Sequence, residues 1–197
     1  MRTSREESTR NREKIIGAAG KLFRERGLDG VSVAEIMATA GLTHGGFYRH
    51  FPSKEALAAE ACAQVAERTD TNWCDARDAA AQDALRALID RYLTTAHRDT
   101  PSQGCIYAAL GCEVGRSSDE SLHQTFADGL EGLINILAEA SPEPDVAERR
   151  RAAIGRFASM AGALILARAT RDTPLSDELL SETHLWLEST SQPVRRQ

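Results

Sequence analysis

The chain has 197 residues, of which 42% are apolar, 27% charged and 5% aromatic, with six prolines and fourteen glycines. Such a composition excludes collagen-like, low-complexity and wholly disordered chains and leaves room for one domain, or two small ones, with a real core. The formal net charge of −5 argues against a nucleic-acid partner, but residues 1–60 hold ten basic and eight acidic side chains while residues 61–197 hold fourteen and twenty-one.

A mildly basic head therefore precedes an acidic body. Only three of the 24 basic residues are lysines, so arginine is the usual cation here and the basic head alone has limited weight. The N-terminal residues lack the apolar stretch of a secretory signal. The longest apolar run, residues 161–167, is far shorter than the roughly 20 residues a bilayer span needs. The expectation is a soluble, cytoplasmic protein without a membrane partner. Cys62, Cys74, Cys105 and Cys112 form no C-x-x-C pair and are expected to be reduced thiols.

In chain order, a first helix is predicted over residues 9–26, where Ile15, Ile16, Ala19, Leu22 and Phe23 make one apolar stripe. Gly27 suits a left-handed cap. Ser32 and Glu35 have the spacing of a capping box, with Val31 and Ile36 as a staple, and the helix they open ends near Ala40. Thr43 can cap a short helix over residues 44–50. Pro52 stops it, and Ser53 caps a helix from Lys54 to about residue 70. Residues 70–80 read as a connector or bend. Further helices are predicted over residues 78–98, 103–115, 118–140, 145–171 and 176–190, separated by Asp99-Thr100-Pro101, Ser117-Ser118, Ser141-Pro142-Glu143-Pro144 and Thr173-Pro174. No period-two alternation occurs, so the fold class is all-α. The first few residues and residues 192–197 are expected to fray.

The second and third helices are short and joined by Ala40-Gly41-Leu42-Thr43, where Gly41 allows a sharp turn. Ile36, Met37, Ala40, Leu42, Phe47 and Phe51 can bury against Ile15, Ala19, Leu22 and Phe23. A small three-helix core of this kind holds a short helix outward, where its N-terminal end can enter a DNA major groove. His44 and Arg49 are long polar groups on that face. Gly45 and Gly46 let the backbone approach closely. Thr43, Tyr48, His50 and Lys54 can donate to phosphate oxygens, and Lys54 lies at a helix N-terminus. No acid occurs between Ala40 and Lys54. Two glycines weaken so short a helix by about 2 kcal/mol relative to alanines, so Phe47 and Phe51 are expected to hold it. The arginines at positions 2, 5, 10 and 12 read as a solvated tail rather than a groove-reading arm.

The stretch GVSVAEIMATAGLTHGGFYRHFPSKEAL, above all AGLTHGGFYRHFPSKEAL, resembles the DNA-binding head of the TetR family of bacterial transcriptional repressors. The resemblance implies a helix-turn-helix domain over residues 1–55 and a helical ligand-binding and dimerisation domain over residues 56–197. It implies that Thr43, Tyr48, His50 and Lys54 hold the phosphate backbone, that Ser32 adds a phosphate contact, and that His44, Gly45, Gly46 and Arg49 face base edges. Gly46 stands where many members carry a larger side chain, so shape readout is expected to contribute.

The resemblance further implies a small-molecule inducer and a homodimer paired through the last two helices, set on a pseudo-palindromic double-stranded operator. The sequence agrees physically. The helix around residues 152–169 is apolar nearly all round, and a helix apolar on more than one face must be buried on more than one face. The pairing candidates are Phe157, Ala161, Leu164, Ile165, Leu180, Trp186 and Leu187. Candidate ligand contacts are Trp73, Tyr92, Cys105, Tyr107, His123, Phe126 and Phe157, with Glu113 and Arg116 as polar neighbours. Cys105, expected in the first turn of a helix, is a candidate thiol sensor of electrophiles or oxidants. GCIYAALGCEVGR resembles a branch of the family that includes such sensors.

Two rival readings are a helical adaptor that binds protein and a di-iron helical-bundle enzyme. Glu120 and His123 form one E-x-x-H, but di-iron bundles need a second such pair and further carboxylates. No phosphate-binding loop, dinucleotide fingerprint or H-E-x-x-H motif is present. No catalytic residue, cofactor or metal site is expected.

Overall fold

The computed structural model describes residues 5–190. All regular structure among these residues is helical: α1 (Arg5–Arg26), α2 (Val33–Thr39), a 3₁₀ segment (His44–Arg49), α3 (Lys54–Ala80), α4 (Ala84–Tyr92), α5 (Thr95–Asp99), α6 (Ile106–Val114), α7 (Glu120–Glu139), α8 (Val146–Ala169) and α9 (Pro174–Thr190), with short 3₁₀ turns at Ala81–Asp83 and Pro101–Gln103. The chain packs as two compact units. One comprises residues up to Glu67 together with Pro101–Gly129; the other comprises Arg68–Thr100 and residues from Leu130 onward.

In the first unit, α1 buries Ile15, Ile16, Ala18, Ala19, Gly20 and Phe23. Gly20 lets α3 approach: a Cβ there would stand 3.1 Å from Val65 Cγ2. Gly27 closes α1 at φ +78°, as the left-handed cap requires. The capping box of α2 forms in full, with Glu35 N–H donating to Ser32 Oγ at 3.2 Å and Ser32 N–H to Glu35 Oε2 at 2.9 Å. Gly41, at φ +72°, ends α2 in a Schellman turn: Leu42 N–H donates to Met37 O and Gly41 N–H to Ala38 O.

Several boundaries differ from the sequence expectation. The first helix begins at Arg5, so Arg5, Arg10 and Arg12 belong to α1 rather than to a tail; Arg2 lies outside the described residues. Arg12 pairs with Glu60 and stacks 4.6 Å from the centroid of the Phe51 ring. Residues 70–80, expected as a connector or a helix bend, continue α3. No glycine or proline interrupts it, Trp73 is buried, and Arg77 pairs with Asp78 and Glu139. The expected helix at 78–98 is broken after Tyr92, where Thr94 Oγ1 accepts from His97 N–H at 3.0 Å and opens α5.

In the second unit, Leu88, Ile89, Tyr92, Phe157, Met160, Leu164, Leu180 and Leu187 make the core, with α8 packed along α9. By length and composition, α8 alone among the described helices could cross a membrane. Two of its arginines find partners within the protein. Buried Arg156 donates to Ser141 Oγ and to both carboxylate oxygens of Glu143, while Arg168 donates to the carbonyls of His97 and Arg98.

Asp70 of α3 stands out in this unit. Its Oδ1 is buried without a hydrogen-bond partner, and burial raises its pKa. A carboxyl that favours its neutral form in the folded state contributes stability at low pH and loses it as pH rises through the folded pKa. Asp70→Asn is therefore expected to raise Tm at neutral pH and to change it little in acid below the ordinary aspartate range. Thermal unfolding in both buffers checks this, and an equal effect in the two would contradict it.

Candidate nucleic-acid interface

The short helix expected after α2 forms over His44–Arg49 and has 3₁₀ geometry. Thr43 occupies its N-cap position but makes no side-chain capping bond, which leaves the hydroxyl outward. Phe47 and Phe51 are fully buried, their centroids 5.8 Å apart, and anchor the segment. Thr43, His44, Gly45, Tyr48 and Arg49 are exposed. Tyr48 is 70% exposed although its ring meets Phe47 edge-on at 5.2 Å, so the phenol is held from below and presented to solvent. His50 and Lys54 are half-buried at the end of this surface. Burial, with the positive charges of Arg12 and Arg49, lowers the His50 pKa and favours its neutral imidazole. Ser53 Oγ accepts from Ala56 N–H at 3.1 Å and caps α3, whose first residue is Lys54. Its free N–H groups favour an anion.

Ser32 is engaged locally. Its hydroxyl donates to Glu35 Oε2 at 2.8 Å and accepts from Glu35 N–H, so the capping box consumes it. Hydrogen bonds from the Ser32 main chain and hydroxyl, and from Arg26, hold the Glu35 carboxyl at a pKa of about 2.

The glycines Gly45 and Gly46 are not demanded by packing. Neither has a positive φ; a Cβ on Gly45 would meet nothing within 4 Å, and one on Gly46 would make ordinary contact with Met37 at 3.6 Å.

The proposed ligand contacts are divided between the two units. Trp73 and Phe157 meet the ring of Tyr92 edge-on at 6.0 and 6.1 Å in the second unit, with His97 at 4.6 Å from it. Tyr107 and Phe126 pair edge-on at 5.0 Å in the first unit. His123 is exposed and donates to Ser117 O. Cys105 is buried and is the N-cap residue of α6 rather than part of its first turn. Glu113 and Arg116 do share a setting: they help line an open cleft of about 620 Å³ with Leu28, Lys54, Asp119 and Leu122. Both carboxylate oxygens of Glu113, on α6, accept from Leu28 N–H at 3.1 Å, just where Gly27 leaves room for them. One helix thus runs from Cys105 to a clamp on the α1–α2 turn.

Of the pairing candidates, Phe157, Leu164, Leu180 and Leu187 are core residues of the chain, Ala161 is half-buried, and Ile165 and Trp186 are 42% and 54% exposed. Ile154, Leu166, Leu175 and Leu185 are also exposed. A helix apolar all round gives no sign of which side faces its own core.

Residues 15–61 match the family described as bacterial regulatory proteins, tetR family. The chain carries a TetR-type DNA-binding head at these residues. It is a helix-turn-helix transcriptional regulator, a class distinct from enzymes. An uncharacterised helix-turn-helix regulator of Bacillus subtilis, YvdT, is 30% identical over 129 residues, covering 62% of this chain and 64% of the relative. The Escherichia coli transcriptional repressor NemR is 26% identical over 132 residues, covering 66% of each. The chain thus aligns with about two thirds of the length of these relatives. The crystal structure of reduced E. coli NemR superposes with a TM-score of 0.77 at 21% identity, covering 91% of this chain and 95% of that one.

For this regulator, Gly45→Ala is expected to keep or raise stability by about 0.5–1 kcal/mol while weakening binding to a selected DNA site. Thermal melts and fluorescence anisotropy separate the two effects. A variant that loses stability, or one that binds DNA as tightly as wild type, would show that Gly45 does not serve close approach to DNA.

Proposed function

We propose that the regulator is a ligand-responsive repressor, acting in the cytoplasm as a homodimer on a pseudo-palindromic operator and released by a small-molecule inducer. Residues 1–55 contact the DNA, and residues 56–197 sense and pair. The observation that carries this reading is the exposed, acid-free surface from Thr43 to Lys54, built on two buried phenylalanines. Thr43, Tyr48, His50 and Lys54 bind phosphates, while His44, Gly45, Gly46 and Arg49 meet base edges.

Pairing is supported by α8. Gly155, Ala158, Gly162 and Ile165 follow helical spacing along one side. A Cβ on either glycine would meet nothing within 4 Å, and Ala158 and Ile165 are exposed. With Leu185 and Trp186 exposed on α9, this small-residue face suits a second copy of the chain.

Operator binding is tested by anisotropy across a salt series, beside light scattering. Wild type is expected to be a dimer whose affinity falls steeply with salt. Ile165→Arg is expected to be a folded monomer with operator affinity lower by about 100-fold. A paired, tightly binding Ile165→Arg would remove this pairing face; salt-independent binding would favour the adaptor reading.

Cys105 is the proposed trigger within this scheme. The E. coli neighbour was solved in a reduced form, and here Cys105 begins the helix that ends in the Glu113 clamp. Burial pushes the Cys62 thiol up to about 12, against the opposing charge of Arg24, so Cys62 is a poor nucleophile. Treatment with a mild electrophile is expected to release DNA from wild type and not from Cys105→Ser. An identical response in the two proteins would dismiss Cys105 as sensor.

A further inference from the structure

Away from the DNA-facing segment, ligating side chains from two helices draw together in the second unit. His184 and Glu188 stand one turn apart on α9, and Asp90 faces them from α4. One ligand atom from each lies within 4.8 Å of the others. His184 Nε2 donates to Asp90 Oδ1 at 2.5 Å, and its Nδ1 is 3.8 Å from the Glu188 carboxylate. Arg86 Nε sits 3.2 Å from Glu188 and 3.7 Å from Asp90. The two carboxylates therefore already gather a cation, independently of the histidine.

We propose that Asp90, His184 and Glu188 bind a divalent transition-metal cation of the zinc, nickel or cobalt class, which displaces the Arg86 guanidinium and clamps α9 to α4. One imidazole nitrogen and two carboxylate oxygens are a ligand set these metals accept, and water completes the shell. Bonds of about 2.0–2.2 Å place donor atoms roughly 3 Å apart. The His184–Asp90 pair opens slightly to reach that spacing, and Glu188 closes by side-chain rotation. Asp90 is exposed, and His184 and Glu188 are half-exposed, so a hydrated ion has access. The metal loses part of its hydration shell, the imidazole binds as the neutral base, and Arg86 swings to solvent. Leu185 and Trp186 lie between the two α9 ligands, so the clamp stiffens the segment that carries them.

Calorimetric titration of the tag-free, metal-stripped full chain with zinc tests the site, with cobalt absorption as a second reading. Wild type is expected to bind one ion per chain and gain Tm. His184→Ala and Glu188→Gln are each expected to lose at least about tenfold in affinity, and His184→Ala to lose the Tm gain. Two variants are used so that misfolding of one does not decide the result. Absence of saturable binding up to about 100 μM zinc overturns the proposal. So does equal binding by wild type and both variants, or a cobalt–thiolate band, which would move the ion to a cysteine.

Discussion

The exposed, acid-free surface from Thr43 to Lys54 rests on the burial of Phe47 and Phe51. The segment they carry has two glycines, no side-chain cap and 3₁₀ rather than α geometry, so it has almost no helical stability of its own. Burying one large apolar side chain contributes about 1.5–3 kcal/mol, which outweighs the roughly 2 kcal/mol cost of two glycines only because both rings are fully enclosed. Arg12 adds a guanidinium face over Phe51 and ties it toward Glu60. The polar surface is thus positioned by apolar contacts beneath it and stays uncommitted above.

Much of the head was legible because its signals are local. The Ser32–Glu35 spacing announced a capping box, and Gly27 and Gly41 announced two left-handed residues; all form. Elements decided by distant partners were not legible. Residues 70–80 look like a polar linker until Trp73 is buried and Arg77 finds Glu139, 62 residues away. The break between α4 and α5 has no glycine or proline to mark it, although Thr94 was a usable capping signal. For the same reason the sequence showed His184 and Glu188 one turn apart but not Asp90, 94 residues from His184. Ser32 is engaged within three residues of itself, in the capping box that the spacing announced.

The first unit also contains a short mechanical path. Cys105 caps α6, and Glu113 near the end of that helix receives the Leu28 main-chain N–H on both carboxylate oxygens. Arg24, on α1, donates to the carbonyl of Gly104, so the same helix is held near its start as well. A displacement at the Cys105 end would be felt two turns later at the turn that orients α2. Coupling of this kind needs two discrete arrangements of one packed element rather than a chain of soft contacts.

The bare backbone at Gly45 and Gly46 bears on how such a regulator diversifies. A recognition surface with few side chains at its centre imposes few demands on individual bases and leans on groove width and bendability. The space above Gly45 is open and the contact under Gly46 is ordinary, so replacing either residue by a longer one meets no steric barrier within the fold. If these positions meet base edges as proposed, a change of target site needs only a substitution at one of them, with the scaffold beneath left as it is.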